Sequence, residues 1–361
     1  MTDLGKRGYP FCVAQYRVAV LGATGAVGLE FLSLLEKRHF PVSTLRLLAS
    51  PRSLGKTLKF KTGMIPVQVA SESAFSDVQI AFFSAGAEAA RQWTPIALKN
   101  GAIVIDNSSA FRMDPAHPLV IPEVNWHHVR AHHRLFPVGN CTGILLCMAL
   151  APLRKFGAFR RVVVATYQSA SGAGMKGMVE LQNQMRAYIE GKSFSCEVFP
   201  HPIAFNVFSH NSPINEYGYN QEEWKVIHET RKVLDMPELP IEVTCVRVPV
   251  LRAHSLAINV EFQANAPAES AVREAYASAP GVRLVDDREK NLFPMPILAA
   301  EQDEVLVGRI RRDYSNPSAI SLFVCGDQLR KGAALNAIQI AERLVSEGRI
   351  PTTARAPDRV S

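Results

Sequence analysis

Residues 16–28 read YRVAVLGATGAVG. A β-branched run breaks into glycines at Gly22, Gly25 and Gly28, and the following LEFLSLLEKRHF spaces Leu29, Leu32 and Leu35 as one face of a helix. Strand, glycine turn, helix is the opening unit of a dinucleotide-binding fold, in which backbone N–H groups meet a pyrophosphate at the helix N-terminus. The GxxGxxG spacing is a variant of GxGxxG. A turn that merely packs a helix on a strand stays open as the alternative, and the strand–turn–helix context favours the nucleotide.

Reading outward, TLRLLAS is a second strand, and VQIAFFSAG (78–86) and GAIVIDNSS (101–109) are short apolar runs that bracket a helix-length segment, 87–100. This alternation predicts βαβ units and a parallel sheet. Beyond Pro152 the strand patterns lengthen, in FRRVVVATYQSASGAG, VTCVRVPVLRAHSLAINVEFQ and AISLFVCGDQ, with helices over 177–190 and 222–234 between them. That predicts an α+β second domain on a mixed or antiparallel sheet. The final ALNAIQIAERLVSEG has helical spacing and is expected to dock back on another element, with a frayed tail from Pro351.

The second strand ends LLASPRSLGK, with Ser50, Arg52, Ser53 and Lys56 and no carboxylate. An NAD site usually has an acidic residue there. Hydroxyls and a guanidinium suit a 2′-phosphate instead, which points to NADP; a solvated polar loop is the other reading. The 361 residues, 47% hydrophobic, are enough for two domains. Apolar runs such as 144–151 are too short to span a bilayer, and the first sixteen residues lack a secretory pattern, so a short extension, no membrane partner and a cytoplasmic location are expected. Six scattered cysteines without CxxC read as reduced thiols. The net charge of +7 is compatible with nucleic acid, but no Lys/Arg run appears, and anionic small molecules account for it as well.

Cys141 lies in VGNCTGILLCMALAP (138–152), where a polar turn gives way to an apolar helix. A helix N-terminus favours the thiolate, lowering a pKa of about 8.5. Asn140 and the first-turn N–H groups could hold an oxyanion. Cys147, deeper in the run, reads as core. A thiol nucleophile needs a base. His117, His127, His128, His132 and His133 cluster before the cysteine, yet no carboxylate or cysteine nearby completes a metal site, so no metal is expected. His254 sits with Arg247 and Arg252 in CVRVPVLRAHSLAI, a strand-like segment whose charges need a reason.

These residues also carry a likeness. GATGAVG, ASPRSLGK, DNSSAFRM, GNCTGI, TYQSASGAG, EEWKVIHETRKVL, CVRVPVLRAHS and LRKGAALNAIQIAE occur in order, and the chain resembles the aspartate-semialdehyde dehydrogenase family over nearly its whole length. The resemblance implies an α/β fold: a Rossmann-type NADP-binding domain (1–140, completed by the C-terminal helix, 327–361) and a glyceraldehyde-phosphate-dehydrogenase-like catalytic and dimerisation domain (141–326). It implies NADPH-dependent reductive dephosphorylation of L-aspartyl 4-phosphate to L-aspartate 4-semialdehyde, and a homodimer or homotetramer. By position, Cys141 is the implied nucleophile, His254 the acid/base, and Gln168 and Asn140 complete the catalytic set. Arg247 would take the substrate carboxylate, Glu222 its amine, and Arg112 and Lys225 phosphate. Thr24, Gly25, Ala26, Val27, Arg52, Ser53, Ser171 and Gly172 would contact NADP alongside Gly22 and Gly28. Two positions depart from the family pattern: NCTG replaces the usual NCST, and Gln328 replaces an asparagine that contacts the cofactor. The rivals are an N-acetyl-glutamyl-phosphate reductase, for which a carboxylate at Glu222 has no use, and an inactive NADPH-binding regulator, which needs no Cys141 with His254.

Overall fold

The computed structural model describes residues 15–350. The tail from Pro351, Cys12 and all but the last two residues of the N-terminal extension lie outside that range. Seven strands form the first sheet: β1 (Tyr16–Leu21), β2 (Val42–Ala49), β3 (Thr57–Phe60), β4 (Gly63–Val69), β5 (Ile80–Phe83), β6 (Ile103–Asp106) and β7 (Leu135–Pro137). Their order is β3-β4-β2-β1-β5-β6-β7, parallel throughout except for the β3–β4 hairpin. From β1 the chain winds first toward β2 and later toward β5. The crevice beyond the carboxyl ends of β1 and β5 is therefore the switch point at which such sheets bind ligands. The β3–β4 hairpin and short β7 were not among the strands expected from apolar runs, because their burial is mixed or their length is only three residues.

The glycine turn fits this crevice. Gly22 has φ +85°, and a Cβ there would lie 2.6 Å from the Ser84 carbonyl oxygen beyond β5. A Cβ on Gly28 would run into the Gly22 and Ala23 carbonyls. Both positions exclude a side chain, so α1 (Ala26–Lys37) begins hard against the sheet with no side-chain cap over its N-terminus. The helix α2 (Ala87–Lys99) joins β5 to β6. A single turn, α3 (Pro122–Asn125), precedes β7.

The chain then enters α4 (Cys141–Leu150), in which every residue after Cys141 is buried. A helix apolar all round belongs inside; α4 packs against both the second sheet and the returning C-terminal segment. The second sheet comprises β8 (Phe159–Gln168), β9 (Phe208–Ser209), β10 (Ile241–Arg247), β11 (His254–Phe262), β12 (Val282–Leu284), β13 (Val305–Arg312) and β14 (Ala319–Gly326). Its order is β12-β13-β14-β11-β8-β10-β9. The sheet is mixed: β10 runs parallel and β11 antiparallel to β8. The segment that read as one long strand is thus two, separated by a crossing at 248–253 that contains Pro249 and ends at Ala253 with φ +74°. The consequence is functional. The end of β8 (Gln168), the end of β10 (Arg247) and the start of β11 (His254) meet at one edge of the sheet.

Helices α5 (Gly174–Ile189), α6 (Gln221–Leu234), α7 (Glu269–Ala277) and the short α8 (Pro296–Ala299) surround this sheet. A 3₁₀ turn, Ala170–Ala173, leads into α5, which starts three residues before the expected boundary. After β14 a π-helical turn (Arg330–Ala334) passes into α9 (Leu335–Ser346), which packs on α1, α3 and β6 of the first sheet. This is the docking helix expected from sequence. Ion pairs tie it down: Arg330 to Glu30 at 2.8 Å, Arg38 to Glu342 at 2.8 Å, and the buried Lys331 to Glu123 at 2.5 Å. Arg252 belongs to the same fastening, with Glu30 at 2.9 Å and Asp327 at 2.7 Å. Its charge is structural.

Candidate active site

Asn140 caps α4. Its Oδ1 accepts from Thr142 N–H at 3.0 Å and Gly143 N–H at 3.1 Å, placing Cys141 at the first helical position. The first-turn donors expected to face an oxyanion are thus largely taken by the cap, which leaves the Cys141 N–H outside it. The Asn140 amide is also engaged, donating to Glu222 Oε1 at 2.9 Å. Gln168 Nε2 donates to the same oxygen at 3.0 Å. Glu222 is buried, which pushes its pKa up, but His210, Asn140, Lys225 and Gln168 outweigh that and hold the carboxyl below its usual range. A carboxylate therefore lies beside the thiol.

That carboxylate corrects one expectation. Burial and the Glu222 charge push the Cys141 thiol up to about 11, against the opposing pull of Arg112 and Arg247. In the unliganded protein Cys141 is a thiol, because desolvation and a neighbouring anion overcome the helix terminus. Cys147 is fully buried within α4, and burial pushes its thiol up to about 12, as suits a core residue.

Two arginines flank this group. Arg247 Nη1 donates to Ser169 O at 3.2 Å, and its Nη2 lies 2.8 Å from His210 Nε2. Arg112 Nη1 donates to Glu229 Oε1 at 3.1 Å, and its Nη2 donates to Asn107 O at 2.8 Å. In both, Nε is buried and has no hydrogen-bond partner; the same holds for His254 Nε2 and Asn107 Oδ1. Buried polar atoms are rarely left so without an ordered water, an ion or a ligand to complete them. A Cβ on Gly172 would lie 2.6 Å from Arg247 Nη1 and 3.4 Å from His254 Nε2, so glycine at 172 keeps this space open. His254 is completely buried; burial and then Arg247 push its pKa down to about 3. Lys225, half-buried, forms no ion pair among the described residues and contributes its charge to Glu222 and His210.

Cys141, Asn140, Gln168, Glu222, Arg112, Arg247, His254 and Lys225 are thus linked by bonds or by charge. Sequence reasoning missed three partners. Glu229 accepts from Asn140 N–H at 2.5 Å as well as from Arg112; it stands seven residues after Glu222, on the same face of α6, and that spacing was a usable signal. His210 and Ser169 had no local signal, because the site groups they hold, Arg247 and His254, are 37 and 85 residues away.

On the nucleotide side, Thr24 Oγ1 and Ser53 Oγ approach to 3.1 Å, joining the glycine turn to the 3₁₀ turn Pro51–Ser53 after β2. Arg52 is exposed there, and Gly25, Ala26 and Val27 open the N-terminus of α1. The side-chain-free cradle at Gly22 and Gly28, with a guanidinium and hydroxyls at the end of β2, fits a phosphorylated dinucleotide. Two expected contacts are different. The Ser171 hydroxyl and both ends of the Gln328 amide are buried and bonded inside the protein: Gln328 Oε1 accepts from Ala253 N–H at 3.0 Å, and its Nε2 donates to Ser171 Oγ. The polar atoms of both side chains thus have partners within the protein.

The histidine-rich stretch does meet a carboxylate, Asp235 at the end of α6, with His128 Nε2 at 2.6 Å and His127 Nε2 at 3.6 Å. That partner is 107 residues from His128, out of reach of a local reading. Asn125 Oδ1 accepts from Ile121 N–H, so Asn125 Nδ2 is the group that meets His128 Nδ1, as a donor. The His128 proton therefore sits on Nε2 and points at Asp235.

Known proteins agree with this geometry. The family model described as semialdehyde dehydrogenase, NAD binding domain, matches residues 17–132, and semialdehyde dehydrogenase, dimerisation domain, matches 150–331. The aspartate-semialdehyde dehydrogenase of Synechocystis is 53% identical over 332 residues, 92% of this chain and 98% of that protein. That of Aquifex aeolicus is 46% identical over 339 residues, 93% and 99% of the two chains. A crystal structure of Vibrio cholerae aspartate semialdehyde dehydrogenase II complexed with ASA superimposes with a TM-score of 0.87 at 40% identity, covering 92% of this chain and 99% of that one. With both family models falling in order on the two sheets, and identity sustained along nine-tenths of the sequence, the chain belongs to the aspartate-semialdehyde dehydrogenase family of oxidoreductases.

Proposed function

We propose that the protein converts L-aspartyl 4-phosphate to L-aspartate 4-semialdehyde and phosphate, reversibly and with NADPH, through a thioester on Cys141. The reaction serves synthesis of lysine, threonine, methionine and diaminopimelate. The observation that carries this reading is the charge pattern around Cys141: two buried guanidiniums, each with an unpartnered Nε, and a buried carboxylate, all three acting on the thiol. Arg247 suits the substrate's permanent carboxylate, Glu222 its ammonium, and Arg112 with Lys225 its phosphate. An acylated amine would gain nothing from Glu222, which separates this substrate from the N-acetylated glutamyl analogue.

Acyl phosphates are reactive, so the residues mainly position and stabilise. Cys141 Sγ bonds to C4 as the bond from C4 to the phosphate oxygen breaks; the thiol proton leaves with phosphate. Arg112 and Lys225 hold that departing anion. Gln168 and Asn140 fix Glu222, and so the amine end of the substrate, relative to the sulfur. The nicotinamide nucleotide, when bound in the Gly22–Gly28 cradle, supplies hydride. NADP is the nucleotide favoured, with Arg52 and Ser53 for the 2′-phosphate. The assembly is a homodimer; the dimerisation-domain match supports it, as does the half-exposed apolar face of β8 at Val163 and Tyr167. A homotetramer would be two such pairs, and sedimentation distinguishes them.

The test is phosphate-dependent reduction of NADP by L-aspartate semialdehyde, run beside N-acetyl-glutamate semialdehyde and NAD. Turnover with the first pair, its loss in Cys141→Ala with NADPH binding retained, and a preference for NADP of at least about tenfold (about 1.4 kcal/mol) are expected. Faster turnover of the acetylated substrate would replace this reading.

A further inference from the structure

Helix α6 carries four charged side chains in a stripe. Glu222, Lys225, Glu229 and Lys232 follow the spacing i, i+3, i+7 and i+10, which puts them on one face with alternating sign. The first three belong to the site already described. Lys232, at the far end, turns to backbone. Its Nζ donates to three carbonyls of the loop after β6: Arg112 O at 2.8 Å, Asp114 O at 2.7 Å and His117 O at 3.1 Å. An ammonium has three N–H donors, so this set engages all of them. Partial burial opposes the charge, and Asp114 and Glu229 favour it through space. The loop's own bonds here are local turns: Asp114 N–H to Phe111 O at 3.2 Å, Ala116 N–H to Asp114 Oδ1 at 2.9 Å and His117 N–H to Asp114 O at 3.2 Å. Among the described residues, its hydrogen bonds to α6 are those of Lys232 and the Arg112–Glu229 pair. These act at opposite ends of one residue. Glu229 holds the Arg112 guanidinium, and Lys232 holds the backbone from which that guanidinium projects.

We propose that Lys232 is a positioning residue for the phosphate site: it gathers the Arg112, Asp114 and His117 carbonyls onto α6 and so keeps Arg112 in register with Lys225. The proposal rests on the reading of Arg112 and Lys225 as the phosphate partners. Those two cations come from different elements, a loop and a helix. An anion gripped by both binds best when their separation is fixed beforehand, since ordering a loop on binding lowers affinity. The ion pair to Glu229 alone would let the loop backbone pivot about the long arginine side chain. Three carbonyls gathered on one ammonium do not pivot. Lys232 itself does not touch phosphate, because its donors are all engaged. The carboxylate site has no such requirement: Arg247 ends β10, and its backbone is set by pairing with β8. Loss of Lys232 should therefore weaken one anion site and spare the other.

Lys232→Met keeps the stem of the side chain and removes its charge and donors. In the oxidative direction KM for phosphate should rise about tenfold, while KM for semialdehyde and Kd for NADP stay within about twofold of wild type. In an Arg112→Ala background the same change should add little, because Lys232 acts through Arg112. Hydrogen exchange over 107–117 in the free enzyme should quicken. Lys232→Arg keeps the charge on a planar fork that does not suit three converging carbonyls, so it should raise the phosphate constant less than Lys232→Met does. A wild-type phosphate constant in Lys232→Met, with only the denaturant midpoint lowered, would make Lys232 a structural anchor and overturn the proposal. So would equal rises in the phosphate and semialdehyde constants, or additive effects in the double variant. If Lys232→Met does not fold, Lys232→Arg decides, and wild-type exchange together with a wild-type phosphate constant overturns the proposal. Arg112→Ala tells the two failures apart. A wild-type phosphate constant in Arg112→Ala defeats the phosphate reading and the proposal together; a raised one there, with none in Lys232→Met, defeats the proposal alone.

Discussion

Arg247 and Arg112 are the same side chain in nearly the same posture, each buried, each with two amino groups tied and Nε left open. They differ in what holds them. Arg247 is hydrogen-bonded only by neutral groups, the Ser169 carbonyl and His210, and feels the Glu222 charge without an ion pair to it. Arg112 is paired with the Glu229 carboxylate, which takes up part of its charge. A permanent ligand group needs the stronger partner, while a leaving group must be released. The neutral-held arginine therefore suits the carboxylate that stays on the substrate throughout, and the compensated one suits phosphate, which departs in one half-reaction.

The comparison breaks most severely at Arg247. Arg247→Lys keeps a charge but loses the planar fork and its fixed hold on Ser169 and His210. We expect kcat/KM to fall roughly a hundredfold, about 2.7 kcal/mol, for semialdehyde and acyl phosphate alike. Steady-state constants for each substrate check this. A change confined to the phosphate constant would mean the two anion sites are reversed.

Glu229→Gln tests the other arginine. The amide can still accept from Asn140 N–H, but its partner charge for Arg112 is gone. Breaking a buried pair by removing one member costs about 3 kcal/mol of stability, read as a lower denaturant midpoint. In the surviving protein Arg112 is uncompensated, so phosphate should bind more tightly and leave more slowly, with the semialdehyde constant changed less. Weaker phosphate binding would show that Glu229 orients Arg112 more than it moderates it.

How much of this was legible in sequence follows from distance along the chain. The cradle at Gly22–Gly28, the cap at Asn140 and the helix start at Cys141 are local, and pattern alone located them. Glu222 and Glu229 lie on one helix face and were legible in principle. The edge that unites Gln168, Arg247 and His254 depends on β10 and β11 taking opposite sides of β8, which no local pattern encodes. The hydrogen bonds of Gln328 were out of reach for the same reason. One of its partners, the Ala253 backbone, is 75 residues away. The lowered thiol pKa expected at Cys141 failed because Glu222, 81 residues on, was not yet beside it.

Acid should act on the neutral-held side first. The His254 pKa falls from 6.5 to about 3 and that of His210 to about 4, burial being the main cause of each. Between those values and 6.5 the unfolded chain binds protons that the folded protein does not, so stability falls as pH is lowered. The contribution is fully present above about pH 6.5. For His254 the loss by pH 5 is about 2 kcal/mol. Denaturant titrations at pH 7.5 and 5 should show it, with a shallower pH slope in His254→Asn. Equal slopes in the two proteins would mean that His254 titrates normally when folded.

The smallest expected effect sharpens the comparison at Glu222, whose charge opposes both arginines at the thiol. Its charge raises the Cys141 pKa while Arg112 and Arg247 lower it. Glu222→Gln removes the opposing anion and leaves both cations. The amide oxygen can still accept from Asn140 or Gln168, though one of the two donors loses a charged acceptor. The free thiol should become more acidic, and since the thiolate is the reacting form, its alkylation near pH 7.5 should speed up. A shift of up to about one pKa unit, or about tenfold in rate, is the scale set by one partly screened charge. Turnover should move the other way, because the substrate's ammonium loses its partner. Iodoacetamide kinetics mapped to Cys141, followed across pH in both proteins, measure the first effect, and semialdehyde KM measures the second. Slower alkylation in the variant would mean that Glu222 promotes the thiolate, through the Asn140 cap it supports, more than its charge suppresses it.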